Sequence, residues 1–441
     1  MVARIEEKKH LSARGLFGHL RDAFKTVGSP ERGKGSRQPG ISLVDCLMSG
    51  VAIFSLKYAS LLQFDNQKDE ELVRINLKNL YQVKKAPCDT YLRERLDSVD
   101  PKHLRGAFTK LFSIMQRGKE LEAYELIDKH YLLLSDGTGY FSSHSVHCES
   151  CCEKKHRNGK KTYYHMMQGA VIAHPDLKEV IPLCPEPIMK ADGATKNDCE
   201  RNATERLLRN IRREHPHLPL ILAEDALAAN APHLRLYQEL NIRFITVVKP
   251  KGNKTLFDWL KGVKMQEVTI QGKKSIHKIR YYNKIPLNNA DPDLEINFIE
   301  CTEYNHHGKR LYYNTWATDI KITDKNALDI AKGGRSRWSI ENETFNTLKN
   351  QGYNFEHNFG HGKSNLTTVF AYLMMLAFLI DQIQQRCCGL FQAAWEKLKS
   401  KKSLWERVRS FFFTYEIRLW KDLYLAIING CGKTRLIPDT S

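Results

Sequence analysis

The fold is decided by the stretch Tyr131-Leu132-Leu133-Leu134-Ser135-Asp136-Gly137-Thr138-Gly139. An unbroken apolar run of strand length has no polar face to offer solvent, so it predicts a strand covered on both sides within a sheet. Asp136 emerges from that strand beside glycines small enough for close backbone approach. An Asp-Gly hairpin turn is the plainer reading of the same residues. Further strands are expected at 163–173, 180–183, 218–223 and 244–248, with helices at 203–213 and 233–240 between the later ones. Three strands followed by strand–helix alternation make an α/β class.

Downstream, 276–282, 296–301 and 311–316 belong to a second strand-rich block, and helix returns at Ala327. Upstream, Leu43, Cys46, Leu47 and Val51 repeat at helical spacing. The divisions read from these changes are a basic arm at 1–40, expected to be poorly ordered without DNA, and a helical DNA-binding region at 41–125. They continue with a first core part at 126–251, a β-rich insertion at 252–322, a second core part at 323–385 and a helical C-terminal region at 386–441. Within the second region Lys84-Lys85-Ala86-Pro87 breaks the chain before a short helix carrying Arg93 and Arg95, a helix-turn-helix-like pattern that a capped surface helix explains equally well.

Composition narrows the partners. Lys and Arg number 68 against 50 Asp and Glu, a formal charge of +18, which favours a polyanion. The apolar run 367–380 falls short of the ~20 residues of a membrane span and stops at Asp381, so a buried helix and no membrane partner are expected. The charged start, Met1 to Lys8, has no apolar stretch of the secretory kind behind it, and eleven cysteines suit reduced thiols better than a disulfide framework. A cytoplasmic, nucleoid-associated, bacterial protein is the expectation.

Asp225 repeats the Asp136 pattern after Leu220-Ile221-Leu222-Ala223-Glu224, although an Asp in that place also caps helices. Two such strands lying side by side would bring two carboxylates together, an arrangement that a cation relieves. A third acid lies in Gly334-Arg335-Ser336-Arg337-Trp338-Ser339-Ile340-Glu341-Asn342-Glu343-Thr344-Phe345. With 100° per helical residue, Glu341 shares the apolar stripe of Trp338, Phe345 and Leu348, while Glu343 faces away.

This last segment resembles the signature helix of bacterial insertion-sequence transposases of the DDE superfamily, in which Tyr, Arg, Glu and Lys recur. Arg337, Glu341 and Lys349 match; the tyrosine position is Gly334, and Lys349 falls one residue beyond the common spacing. The resemblance extends through Ser135-Asp136-Gly137, 222–227 and Val248-Lys249-Pro250. It implies an RNase H-like mixed-sheet core, interrupted by a β-rich insertion and flanked by helical N-terminal and C-terminal regions. It also implies a catalytic and Mg2+-binding (or Mn2+-binding) triad of Asp136, Asp225 and Glu341. Two ions roughly 3.5–4 Å apart would activate water and stabilise the leaving 3′ oxygen. The implied partners are double-stranded DNA with terminal inverted repeats and target DNA, engaged by a homodimer. Arg337, Lys349, Lys249, Arg93 and Arg95 are the phosphate-binding candidates, and Trp316 is a candidate for stacking on a displaced base or, as a strand Trp, for the core.

His144, His147, Cys148, Cys151, Cys152 and His156 crowd one hairpin, and Cys148-x-x-Cys151 has the first-half spacing of a zinc knuckle. Cys148, Cys151, Cys152 and His156 form the candidate Zn2+ set, with reduced thiols in a polar hairpin as the alternative. Asp198 and Glu200, after the turn Asp192-Gly193-Ala194, read as helix-N-terminal acids, and His357 and His361 as loop histidines. The rival functions are a metal-dependent nuclease of the same fold and an inactive, transposase-derived DNA-binding protein. Trp405, Arg407, Arg409 and Trp420 in the C-terminal helices suggest end binding and assembly instead.

Overall fold

The computed structural model describes residues 8–28, 40–190, 197–289 and 291–430, with the backbone of 437–438. The turn Asp192–Ala194 and residues 1–7 and 29–39 of the basic arm lie outside them. The described part of the arm corrects the expectation of disorder. Ala13–Phe24 forms helix α1, capped where the Ser12 hydroxyl accepts from the Gly15 N–H, and Leu16, Phe17, Leu20 and Phe24 are buried. Their spacing is an apolar stripe that the surrounding Lys and Arg conceal in composition.

Helices α2 (Leu43–Ser55), α3 (Leu61–Gln67), α4 (Glu71–Tyr81), α5 (Asp89–Asp97) and α6 (Arg105–Arg117) follow, then strands β1 (Glu125–Ile127) and β2 (His130–Ser143). The central part continues as β3 (Cys152–Lys155), β4 (Lys161–Ala173), β5 (Ile181–Pro182), β6 (Glu186–Ile188), α7 (Glu200–Glu214), β7 (Leu220–Glu224), α8 (Ala231–Glu239), β8 (Arg243–Val247) and α9 (Lys254–Leu260). Four strands, β9 (Gln266–Gln271), β10 (Ile276–Pro286), β11 (Glu295–Tyr304) and β12 (Arg310–Thr318), precede α10 (Ala327–Arg335) and α11 (Asn346–Asn350). The chain then forms α12 (Leu366–Cys387), α13 (Gly389–Leu398), α14 (Lys401–Thr414), β13 (Tyr415–Glu416), α15 (Trp420–Asn429) and β14 (Ile437–Pro438).

The protein is thus mixed α/β. One large mixed sheet runs in the order β3-β4-β2-β7-β8-β12-β11-β10-β9, with β1 on β2 and with β5 and β6 on β4. β2, β7 and β8 are parallel neighbours, and the remaining pairs are antiparallel. The expected insertion is therefore continuous with the central sheet, because β12 pairs along β8 from Trp316↔Val247 to Thr318↔Ile245. Leu132, Leu133 and Leu134 are fully buried at the sheet centre, as a run with no polar face requires.

A helical layer covers the sheet, and one contiguous apolar core reaches from Leu11 to Ile427. Helix α12 is long and apolar enough to cross a membrane, but its most apolar window is wholly buried inside the protein, which makes it the core helix of that layer. The terminal helices close on each other: Asn76 of α4 donates to the Phe412 and Tyr415 carbonyls at 2.8 Å each, and Phe17 of α1 stacks on Trp420 at 5.5 Å. Trp405 and Trp420 are buried, so this packing, rather than an outward-facing surface, is what those tryptophans serve.

Two polar devices fix the segment 351–365, which joins α11 to α12. Lys57 at the end of α2 meets Asp381 of α12 at 2.7 Å in a fully buried pair, and the Tyr353 hydroxyl donates to the same carboxylate. Asp97 at the end of α5 accepts the backbone N–H groups of Lys363, Ser364, Asn365 and Leu366 at 2.9–3.0 Å, which caps α12 from another helix.

Candidate functional site

Parallel pairing of β2 with β7 runs in step from Tyr131↔Leu220 to Leu134↔Ala223. Asp136 lies two residues beyond the last position at which β2 pairs with β7, and Asp225 two beyond the matching position of β7, just past the end of that strand; both line one cleft. β2 does not stop at the aspartate as the apolar run suggests; it continues to Ser143 with Asp136 opposite Gly169 of β4. β7 does stop, at Glu224, so β2 outruns its parallel neighbour and opens a cleft at that point. Ser135, Asp136, Glu200, Glu224 and Asp225 line this cleft. This is where open α/β sheets place sites, outside the carboxyl ends of parallel strands.

Neighbouring acids are kept in different roles. Glu224 is buried, taking bonds from the Tyr237 hydroxyl and, at 3.0 Å, from His233 Nε2. Asp225 faces the cleft, where its Oδ1 accepts the Leu227 N–H at 2.9 Å in a tight turn. Asp136 Oδ1 accepts the Gly137 N–H at 2.9 Å.

Glu341 arrives from a helix that is not regular. After α10 come a 3-10 turn at Ser336–Trp338 and a π-helical turn at Ile340–Phe345, then α11. A wide turn breaks the 100° step on which the stripe expectation rests. Trp338, expected to share a buried stripe with Glu341, is 52% exposed, whereas Ile340, Thr344, Phe345 and Leu348 are buried. Glu341 itself sits half-buried at the stripe's edge, facing Asp136. Glu343 is also half-buried, but its charge acts on Lys401 of α14.

Arg337 joins the two regions. Its Nη1 lies 3.1 Å from Asp136 Oδ2 and 3.2 Å from Glu341 Oε1, with the guanidinium only 11% exposed and lying over the Trp338 ring. Burial, and then the hydrogen bond shared with Glu341, push the Asp136 carboxyl up to about 7 against the opposing charge of Arg337.

Two glycine contacts let this helix approach the sheet. A Cβ on Gly169 would lie 2.9 Å from Phe345 Cζ, and one on Gly334 would lie 2.4 Å from Trp316 Nε1. The second contact explains why glycine stands at the tyrosine position of the resembled signature: Trp316 fills that space. Trp316 is 0% exposed, which corrects the base-stacking expectation in favour of the core.

The remaining phosphate candidates are dispersed. Lys349 pairs with Glu356 at 2.8 Å, Arg93 is exposed but engaged with Asp89 at 2.6 and 2.8 Å, and Arg95 is half-buried with its charge felt by Cys46. Lys249 is exposed in the turn after β8, alongside exposed Lys251.

Glu200, at the first turn of α7, is the functional candidate that sequence reasoning set aside. Burial raises its carboxyl, with Asp225 adding to the effect. Gly137 makes room for it, since a Cβ there would sit 2.5 Å from Glu200 Oε1. Only the glycine beside Asp136 hinted at this approach.

The thiol-rich hairpin also rearranges the expected set. Cys148 and Cys151 come together, but Cys152 is buried against Ile188 and Ala203, and His156 bonds Thr162 at 2.7 Å. In their place stand His165 from β4 and His361 from the loop before α12. β3 begins at Cys152, so the alternation of the strand turns Cys152 away from Cys151. His144 and His147 lie apart from the group, bonded to the Lys161 and Ser145 carbonyls.

Comparison with protein-family models finds no match for this chain, and comparison with curated proteins finds none either.

Proposed function

We propose that this chain is a DDE-type DNA transposase with an RNase H-like core, cutting and joining DNA with Mg2+ or Mn2+ held by Asp136, Asp225 and Glu341. The observation that supports the reading is that Asp136 and Asp225, at matching positions beyond the paired residues of β2 and β7, line one cleft, with Arg337 bonded to both Asp136 and Glu341. The strand order β4-β2-β7-β8, antiparallel and then parallel, supports this reading of the core.

The donor set fits divalent ions. Three carboxylates, with Glu200 nearby, supply the hard oxygen ligands that Mg2+ prefers. Two bound ions would supply activation of water or a 3′-hydroxyl and stabilisation of the leaving oxygen. The chain's own residues position the rest. Gly137 leaves room for Glu200 to reach the cleft beside Asp136. Arg337 can turn from the carboxylates to a phosphate, for which its planar fork is suited. Exposed Lys84, Lys85, Lys249 and Lys251 give the phosphate backbone of terminal repeats and target a basic approach surface, within an overall charge of +18. The expected working form is a homodimer on DNA ends in a bacterial cytoplasm.

The test is cleavage of DNA carrying the sequences that flank the protein's own gene. Nicking should require Mg2+ or Mn2+, and Asp136→Ala or Asp225→Ala should abolish it while leaving binding intact. Undiminished cleavage by either variant, or full activity in EDTA, refutes the proposal.

A further inference from the structure

Away from the carboxylate cleft, four side chains far apart in sequence converge. Cys148 Sγ and Cys151 Sγ are 3.8 Å apart, and His165 Nε2 lies 3.4 and 3.3 Å from them. His361 Nε2 lies 3.3 Å from Cys151 Sγ, and all four donor atoms fall within 4.8 Å of one another. Tetrahedral zinc, with Zn–S near 2.3 Å and Zn–N near 2.0–2.1 Å, sets edges of about 3.8 Å between two sulfurs and about 3.6 Å between sulfur and nitrogen. The observed distances are close to those edges. A disulfide would instead need sulfurs about 2.0 Å apart.

The surroundings point the same way. His165 is 2% exposed, its Nδ1 has no partner among the described residues, and its Nε2 faces the two thiols. Tyr140 and Phe141 pack on the His165 ring, and Phe141 lies 4.4 Å from the His361 ring, so the two histidines and Cys151 are buried while Cys148 is half-buried at the rim. His361 Nδ1 lies 3.4 Å from Thr367 Oγ1, an outer partner of the kind that orients a metal-bound histidine. Gly360 at φ 152° and Gly362 at φ 70° give the loop the turns that present His361 inward.

We propose that Cys148, Cys151, His165 and His361 bind one Zn2+ in a closed structural site that fastens the loop behind the glutamate helix to the β2–β4 hairpin. Three ligands belong to the hairpin, and the fourth belongs to segment 351–365, which Asp97 and Tyr353 hold elsewhere. The ion completes a third anchor for the segment. Its role is to position the neighbouring helix, and no ligand position is left open for chemistry.

The experiment measures zinc in the purified full-length chain after weakly held metal is removed on a chelating resin, so its outcome is independent of DNA cleavage. About one equivalent should remain. Co2+ exchanged into the site should give the visible bands of tetrahedral coordination together with thiolate charge transfer. Cys151→Ser and His361→Ala should weaken zinc binding at least about tenfold, His361→Cys should retain the metal with stronger charge transfer, and His156→Ala should change nothing. Stripping the ion should speed amide exchange across 351–365 at least about tenfold, as for a segment that has lost an anchor. Less than about half an equivalent in the wild-type chain, or undiminished zinc in both Cys151→Ser and His361→Ala, overturns the proposal. Comparing His361→Cys with His361→Ala keeps the test decisive if Cys151→Ser does not fold.

Discussion

Replacing Lys57 by Met removes one half of a fully buried ion pair while keeping the aliphatic stem. Burial pushes the Asp381 carboxyl up and the Lys57 amine down, and in each the partner's charge opposes the shift. In Lys57→Met that opposition is gone, and Asp381 keeps only the hydroxyl of Tyr353. The carboxyl then escapes its cost by taking a proton. At pH 7 this costs about 1.4 kcal/mol for each of the roughly three pH units above its ordinary 3.8, or about 4 kcal/mol. That agrees with the ~3–5 kcal/mol seen when one partner of a buried pair is removed. The sign follows from the raised folded value: the native variant binds a proton that the unfolded chain releases above 3.8, so its stability falls as pH rises from there. Urea unfolding followed by tryptophan fluorescence should show a loss near 4 kcal/mol at pH 7 that shrinks toward pH 5, with a steeper pH slope than wild type. The double variant Lys57→Met, Asp381→Leu should recover most of the stability, since neither charge remains to be desolvated. A loss below about 1 kcal/mol at pH 7, or one that does not vary with pH, refutes the reasoning.

Glu341→Gln should fold and bind DNA ends as the wild type does but lose Mg2+-dependent cleavage, while Glu343→Gln keeps most of it; nicking assays on both decide which glutamate matters. Asp97→Ala should cost about 1–2 kcal/mol, as loss of a helix cap does. Although burial raises the Asp97 carboxyl, its four backbone N–H bonds leave it below the usual range, so this contribution is present above 3.8, is lost as pH falls through the lower folded value, and should be missing from the acid limb of Asp97→Ala. Gly334→Tyr, which restores the residue of the resembled signature, should destabilise by at least about 2 kcal/mol in thermal unfolding, because Trp316 occupies that volume. DNA affinity should fall steeply with added salt, as counterion release demands of a chain with this charge; a flat salt profile in a binding titration counts against the basic approach surface.

The central strands were legible because Leu132–Leu134 and Leu220–Ala223 are apolar runs, and Asp136 and Asp225 because each follows one, whereas β3 and β9, which carry no such run, were not. What the sheet adds is that the ends of these two neighbouring strands open on one cleft, which no local pattern carries. Helix α1 was hidden by the composition of the arm around Leu16, Phe17, Leu20 and Phe24. A projection that assumes a constant step fails at the 3-10 turn ending in Trp338, which is exposed, while Phe345 and Leu348 are buried as expected. His165 and His361 were not legible as partners of Cys148 and Cys151, because the first sits in an apolar strand pattern and the second lies some two hundred residues away in a loop. Glu200 has the look of any acid at a helix start; only the sheet brings it against Gly137.

The hydrogen bonding of β12 along β8 has a consequence for solubility. Were 252–322 excised, the strand Arg243–Val247, with Phe244, Ile245, Thr246 and Val247 all buried, would become an open sheet edge with its N–H and C=O groups unpaired. Such an edge invites pairing with another chain. The strand-rich block therefore shields the central sheet from self-association, and a shortened chain would sooner aggregate than survive as a smaller protein.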